Sequence, residues 1–136
     1  MKIWLNGAMA DARDVRIDPA DRGFLLGDGL FETMLALHGH ILFADEHMLR
    51  LGAATDLIGL PLPCSLAEIE MACADLLDEN ELDEAPRASL RVTVTRGPAP
   101  RGLALPAAPK PTVLITCAAI GEAPMRMSLV TATPRR

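Results

Sequence analysis

The sequence predicts an α+β fold, an antiparallel sheet carrying two helices in a small domain, with the beginning of a second domain after it. Three observations carry this. Strand-like segments stand at both ends of the chain while helical periodicity is confined to its middle, so strands and helices are grouped rather than alternating. Leu90, Val92 and Val94 alternate with Arg91, Thr93 and Thr95, which marks a strand with one buried face. The length, 136 residues, suits one domain plus the stub of another.

Taken in order, Ile3, Trp4 and Leu5 precede Asn6-Gly7, a pair that tolerates positive φ at both positions and reads as a tight hairpin turn. Residues 18–29, with Asp18-Pro19, Gly23, Gly27 and Gly29, read as an irregular loop. A strand follows over Leu30–Leu37, with His38-Gly39 as its turn and His40–Phe43 as the returning strand. Asp45 is placed to cap a helix running to Ile58, with Gly59 as its stop and Pro61 and Pro63 forbidding continuation. Ser65-Leu66-Ala67-Glu68 is a capping box, and Leu66, Ile69, Cys73, Leu76 and Leu77 recur at helical spacing as far as Asn80. Arg87–Arg96 is the alternating strand, residues 97–111 are a Gly- and Pro-rich loop, and Thr112–Ala119 is an apolar strand. Gly121–Pro124 reads as a linker and Met125–Thr133 as one more strand. The expected division is therefore a domain over 1–120, with 121–136 as linker and first strand of a C-terminal domain.

Composition excludes several function classes. Half of the residues are hydrophobic and 23% are charged, which argues against global disorder. With one Trp, three Phe and no Tyr, an aromatic platform for single-stranded nucleic acid is excluded. The net charge of −5 hides a gradient, net −12 over residues 1–84 and net +7 over 85–136. Two halves that neutralise each other within one domain account for it, and no nucleic-acid motif accompanies the basic half. Cys64, Cys73 and Cys117 are an odd count without C-x-x-C, as expected of a cytoplasmic protein rather than a disulfide scaffold. No apolar run approaches the length of a membrane span. His38 and His40 flank a turn and His47 is on a helix, so no metal site is expected.

Four positions draw attention on chemical grounds. Arg50 shares a helical stripe with Ala53, Ala54 and Leu57. A guanidinium in such a stripe grips a phosphate or carboxylate, or else it snorkels or pairs with Asp45 or Glu46. Arg96 and Arg101 bracket Gly97-Pro98-Ala99-Pro100, a stiff loop able to hold a cation over a cleft, although two ordinary surface arginines satisfy the same pattern. Glu32 stands in the apolar run Leu30-Phe31-Glu32-Thr33-Met34, where it orients a basic group or points to water. Gly27-Asp28-Gly29 is not a phosphate-binding fingerprint, since it lacks G-x-G-x-x-G.

Read together, three segments resemble the N-terminal half of class IV (fold type IV) pyridoxal-phosphate enzymes, which include branched-chain and D-amino-acid aminotransferases and aminodeoxychorismate lyases. They are Asp21-Arg22-Gly23-Phe24-Leu25-Leu26-Gly27-Asp28-Gly29-Leu30-Phe31-Glu32-Thr33, Asp45-Glu46-His47-Met48-Leu49-Arg50-Leu51, and Thr95-Arg96-Gly97-Pro98-Ala99-Pro100-Arg101-Gly102. The resemblance implies the small N-terminal domain of the D-amino-acid-aminotransferase-like fold, pyridoxal 5'-phosphate as cofactor, an amino acid and a 2-oxo acid as substrates, and a homodimer. It places Arg50 on the cofactor phosphate. It places Phe31, Glu32 and Arg101 with the substrate, Arg101 at its carboxylate.

The resemblance also implies a lysine in Schiff-base linkage to the cofactor, and the only lysines here are Lys2 and Lys110, neither in the matching segment. The expectation is an N-terminal fragment, inactive alone, whose missing C-terminal domain carries that lysine. A lyase fragment, or a small domain that dimerises or binds anions without catalysis, are the alternatives.

Overall fold

The computed structural model describes residues 1–122, 126 and 128–132. Its elements are β1 (Lys2–Leu5), β2 (Ala8–Asp11), α1 (Arg22–Leu26), β3 (Gly29–Leu37), β4 (His40–Ile41), α2 (Ala44–Leu57), α3 (Leu66–Glu79), β5 (Ala88–Thr95) and β6 (Thr112–Ala119). The six strands form one sheet in the order β2-β1-β6-β5-β3-β4, with every neighbouring pair antiparallel. This is the α+β architecture that the grouping of elements predicts.

Local chemistry explains the elements. Asn6 (φ +48°) and Gly7 (φ +98°) turn β1 into β2, a pair of left-handed residues that suits the twist of a hairpin. His38 and Gly39 do the same between β3 and β4, although β4 is only two residues long and ends before Phe43. At α3 the Ser65 hydroxyl accepts from the Glu68 amide at 3.2 Å, and the Ser65 amide donates to Glu68 Oε2 at 2.7 Å, completing the capping box.

Two expectations are corrected. Residues 18–29 are not wholly irregular: Asp21 caps a short helix, accepting from the Gly23 amide at 2.7 Å, and Gly27 ends it in the left-handed region. A single turn leaves too little periodicity to be read from sequence, so the described residues hold three helices rather than two. At α2 the cap is Phe43, in the left-handed region and without a side-chain bond, while Asp45 lies inside the first turn. There its charge complements the helix dipole. Of the expected strand over Met125–Thr133, Arg126 and Ser128–Ala132 carry no regular structure; Met125, Met127 and Thr133, like linker residues Ala123 and Pro124, lie outside the described residues.

Both long helices cover one face of the sheet. Met34 and Ala36 of β3, Leu90, Val92 and Val94 of β5, and Val113 and Ile115 of β6 meet Leu51 of α2 and Ile69, Leu76 and Leu77 of α3. Each such buried Leu, Ile, Val or Met side chain is worth about 1.5–3 kcal/mol over its exposed state. The opposite face carries Phe31, Thr33, Arg91, Thr93 and Leu114, all exposed or half-buried.

Candidate active site

Along β3, side chains alternate between the two faces. Glu32 shares parity with buried Met34 and Ala36, so it points inward, toward α2, and is itself buried. One turn of α2 brings His47 and Arg50, three residues apart, over it. Arg50 Nε donates to Glu32 Oε1 at 2.7 Å and Nη2 to Oε2 at 2.5 Å, a two-point grip. His47 Nδ1 lies 2.8 Å from Glu32 Oε2 and 3.1 Å from Arg50 Nη2. The Arg50 hydrogen bond, helped by His47 and opposed by burial, holds the Glu32 carboxyl below its ordinary value. Glu32 in turn raises the Arg50 pKa further.

The stripe of Arg50, Ala53, Ala54 and Leu57 exists, but it is not the core stripe. Met48, Leu51 and Thr55 face the sheet, and the Arg50 side chain is 66% exposed. Its carboxylate partner is Glu32, from another element, rather than Asp45 or Glu46. Glu32 therefore orients a basic group, the first of the two readings its position allowed. His47 carried no role in the sequence reading; the signal that could have found it is its i, i+3 spacing to Arg50.

Phe31 is one residue from Glu32 and so stands on the other face of the sheet. There the Arg91 guanidinium covers its ring, 3.5 Å from the centroid. Among the described residues, Phe31 and Glu32 therefore face opposite sides of the sheet.

Arg96 and Arg101 separate in role. Arg96 is not held over a cleft and is no surface arginine: it is buried, with Nε 3.0 Å from each oxygen of Asp28. Its Nη1 and Nη2 donate to the carbonyls of Gly59 at 2.8 Å and Ile58 at 3.0 Å. The reason lies in register, since Arg96 continues the inward series Leu90, Val92, Val94. Asp28 accepts a second arginine, Arg22, through Nε at 2.6 Å. Burial is the largest influence on the Asp28 carboxyl and raises its pKa, but the hydrogen bonds from Arg22 and Arg96 together outweigh it and hold it below its ordinary value. Arg101 is exposed and lines a concavity of about 270 Å³ with Arg22, Ala20, Leu25, Leu26 and Ala99. Neither Arg50, Glu32 nor Phe31 lines that concavity.

Of the two lysines, Lys2 is remote from Glu32 and Arg50. Lys2 is on β1, separated from β3 by β6 and β5. Three inter-strand steps amount to roughly 14 Å. Its Nζ lies 3.5 Å from Asp11 Oδ2. Lys110 belongs to the loop before β6.

Comparison with known proteins follows the same residues. Residues 29–136 match the model of the family described as amino-transferase class IV. D-alanine aminotransferase of Bacillus licheniformis is 35% identical over 101 residues, covering 74% of this chain and 35% of that protein. The crystal structure of Escherichia coli branched-chain amino acid aminotransferase superposes with a TM-score of 0.80 at 26% identity, covering 88% of this chain and 40% of that one. The crystal structure of 4-amino-4-deoxychorismate lyase from Pseudomonas aeruginosa gives a TM-score of 0.66 at 27% identity, covering 84% and 38%. The chain thus spans well under half the length of the relatives it matches.

Proposed function

The chain belongs to the class IV aminotransferase family, and from that premise we propose that it supplies the phosphate-anchoring and carboxylate-orienting groups of a pyridoxal-phosphate-dependent aminotransferase acting on an amino acid and a 2-oxo acid. The observation that carries the proposal is the geometry of Arg50. One edge of its guanidinium is locked on buried Glu32, and Nη1 takes part in no hydrogen bond among the described residues. A permanently charged donor is thereby pre-aimed toward solvent at no further entropic cost. Because Glu32 offsets the charge, Arg50 offers an oxyanion direction more than field.

In this reading Arg50 is the group that suits the phosphate end of pyridoxal phosphate. The residues present do not supply its lysine, which the reading assigns to protein outside residues 1–136, in keeping with the share of the relatives that this chain spans. When bound, the cofactor supplies an electron sink for bond cleavage at the amino-acid Cα. Arg101 presents a fork that matches a substrate carboxylate. Arg101 and Phe31 stand away from Arg50 within one chain, so the reading places them against substrate across a homodimer. Exposed Phe24, Leu25 and Leu26 give such an interface apolar area. Among the described residues no helix is long and apolar enough to cross a membrane; a cytoplasmic location is part of the proposal. The lyase reading uses the same cofactor and ranks second because the overlay on the lyase is looser than that on the branched-chain aminotransferase.

The test is titration of pyridoxal phosphate into the protein as encoded by its own gene, followed by the cofactor's visible absorbance. Arg50→Ala is expected to weaken binding about ten- to a hundredfold, as for loss of a charge-assisted hydrogen bond to a phosphate. Arg50→Lys, a point charge without the fork, is expected to recover only part of it. Unchanged affinity in Arg50→Ala refutes the assignment.

A further inference from the structure

Arg101 sits on a loop that side-chain packing does not hold. Leu103 is 82% exposed and Leu105 is 63% exposed, so neither pins the segment by burial. Backbone contacts hold it before Arg101, where Ala99 N donates to the Ala20 carbonyl at 3.3 Å; after Arg101 it is held by a side chain from eighty residues earlier. The Arg22 guanidinium, buried in α1, donates from Nη1 to the carbonyls of Gly102 (3.2 Å) and Ala104 (3.1 Å), and from Nη2 to that of Leu103 (3.4 Å). Gly102 directly follows Arg101. The remaining edge, Nε, is on Asp28, which Arg96 ties to the carbonyls at the end of α2. One carboxylate thereby links α1, the start of β3, the end of α2 and the Arg101 loop.

Stability alone does not call for this device, since a buried ion pair replaced by well-packed apolar side chains is often neutral or stabilising. What the arrangement adds is direction. Three consecutive carbonyls read by one planar fork fix the backbone orientation of the residue before them. Lysine, with a single ammonium, cannot hold Asp28 and all three carbonyls together.

We propose that Arg22 is a positioning residue: by clamping residues 102–104 it sets the approach of Arg101 to the substrate carboxylate. The proposal rests on the assignment of Arg101 made above. Arg22→Lys keeps a cation against Asp28 while forfeiting the fork. In the protein as encoded by its own gene, two readouts apply. The first is trypsin cleavage at Arg101-Gly102 relative to other sites, expected to rise about tenfold because cleavage tracks local opening. The second is steady-state kinetics with an amino-acid donor. KM is expected to rise about tenfold with kcat changed less than about threefold, the pattern of a lost binding contact. The double variant Arg22→Lys/Arg101→Ala is then no worse than Arg101→Ala alone, because both act through one contact.

Unchanged cleavage at Arg101 overturns the proposal, and so does a KM effect that adds in full to that of Arg101→Ala. If Arg101→Ala leaves KM untouched, the carboxylate assignment of Arg101 fails. The cleavage rate then still decides whether Arg22 holds the loop. Arg22→Gln, whose amide can donate to one loop carbonyl, is read in the same way should the lysine variant fail to fold.

Discussion

Replacing Asp28 by asparagine tests whether charge holds the two buried arginines. Asp28 accepts from Arg22 Nε at 2.6 Å and from Arg96 Nε at 3.0 Å, and the two arginine side chains are 6% and 5% exposed. Asparagine keeps the shape but offers one acceptor oxygen and turns an amide donor toward the other guanidinium. Removing one partner of a buried ion pair costs about 3–5 kcal/mol. Two features favour the lower end. Each arginine keeps backbone carbonyl partners, and the Asp28 side chain retains some contact with water. The expected loss is about 3 kcal/mol, a large part of the roughly 5–15 kcal/mol that stabilises a domain. It corresponds to a fall in Tm of roughly 10 °C. Urea unfolding followed by the fluorescence of Trp4, the only tryptophan and a core residue, measures it directly. Adding Arg96→Met to Asp28→Asn should recover part of the loss, because one unpaired cation is then gone. A loss below about 1 kcal/mol at unchanged m would refute the reasoning and leave the carbonyl hydrogen bonds as sufficient.

Acid should act through the same carboxylates. Asp28 and Glu32 both have folded pKa values below their ordinary 3.8 and 4.5, so their contribution is present above those values and is lost as pH falls through the lower folded ones. The urea midpoint is expected to hold from about pH 7 to about pH 5 and then drop, and less steeply in Glu32→Gln; a midpoint that rises on acidification contradicts the ion-pair geometry. Gly97→Ala should cost more than about 2 kcal/mol by the same urea assay, through backbone strain and steric conflict together. Gly97 has φ +78°, and a Cβ there would run into the carbonyl oxygen of Lys110. A variant within about 0.5 kcal/mol of the parent would show that the loop gives way.

What the sequence disclosed depended on the range of the interaction. Asn6-Gly7, the Ser65–Glu68 box and the alternation in β5 are each written within a few residues, and each forms as read. The start of α2 is not legible because Asp45 is chemically a good cap, whereas the chain enters that helix through a left-handed Phe43 without a side-chain cap bond. The facing of α2 was open for a related reason. Successive stripes on a helix lie about 100° apart per residue, and small residues such as Ala53 and Ala54 do not say which one meets the sheet. Met48 and Leu51 decide it, and Arg50 is thereby left at the surface.

Strand parity, in contrast, held more than was taken from it. Period 2 sends Glu32 inward with Met34 and Ala36, and Arg96 inward with Val92 and Val94. A charge that occupies a core-parity position must find a counter-charge, because leaving it alone costs several kcal/mol. Both do: Glu32 takes Arg50 from α2, and Arg96 takes Asp28 from the turn before β3. The partners lie 18 and 68 residues away, beyond any spacing rule, yet the need for them is legible locally. The two anomalies in the apolar alternation therefore mark the two side-chain networks that position Arg50 and, through Asp28 and Arg22, Arg101.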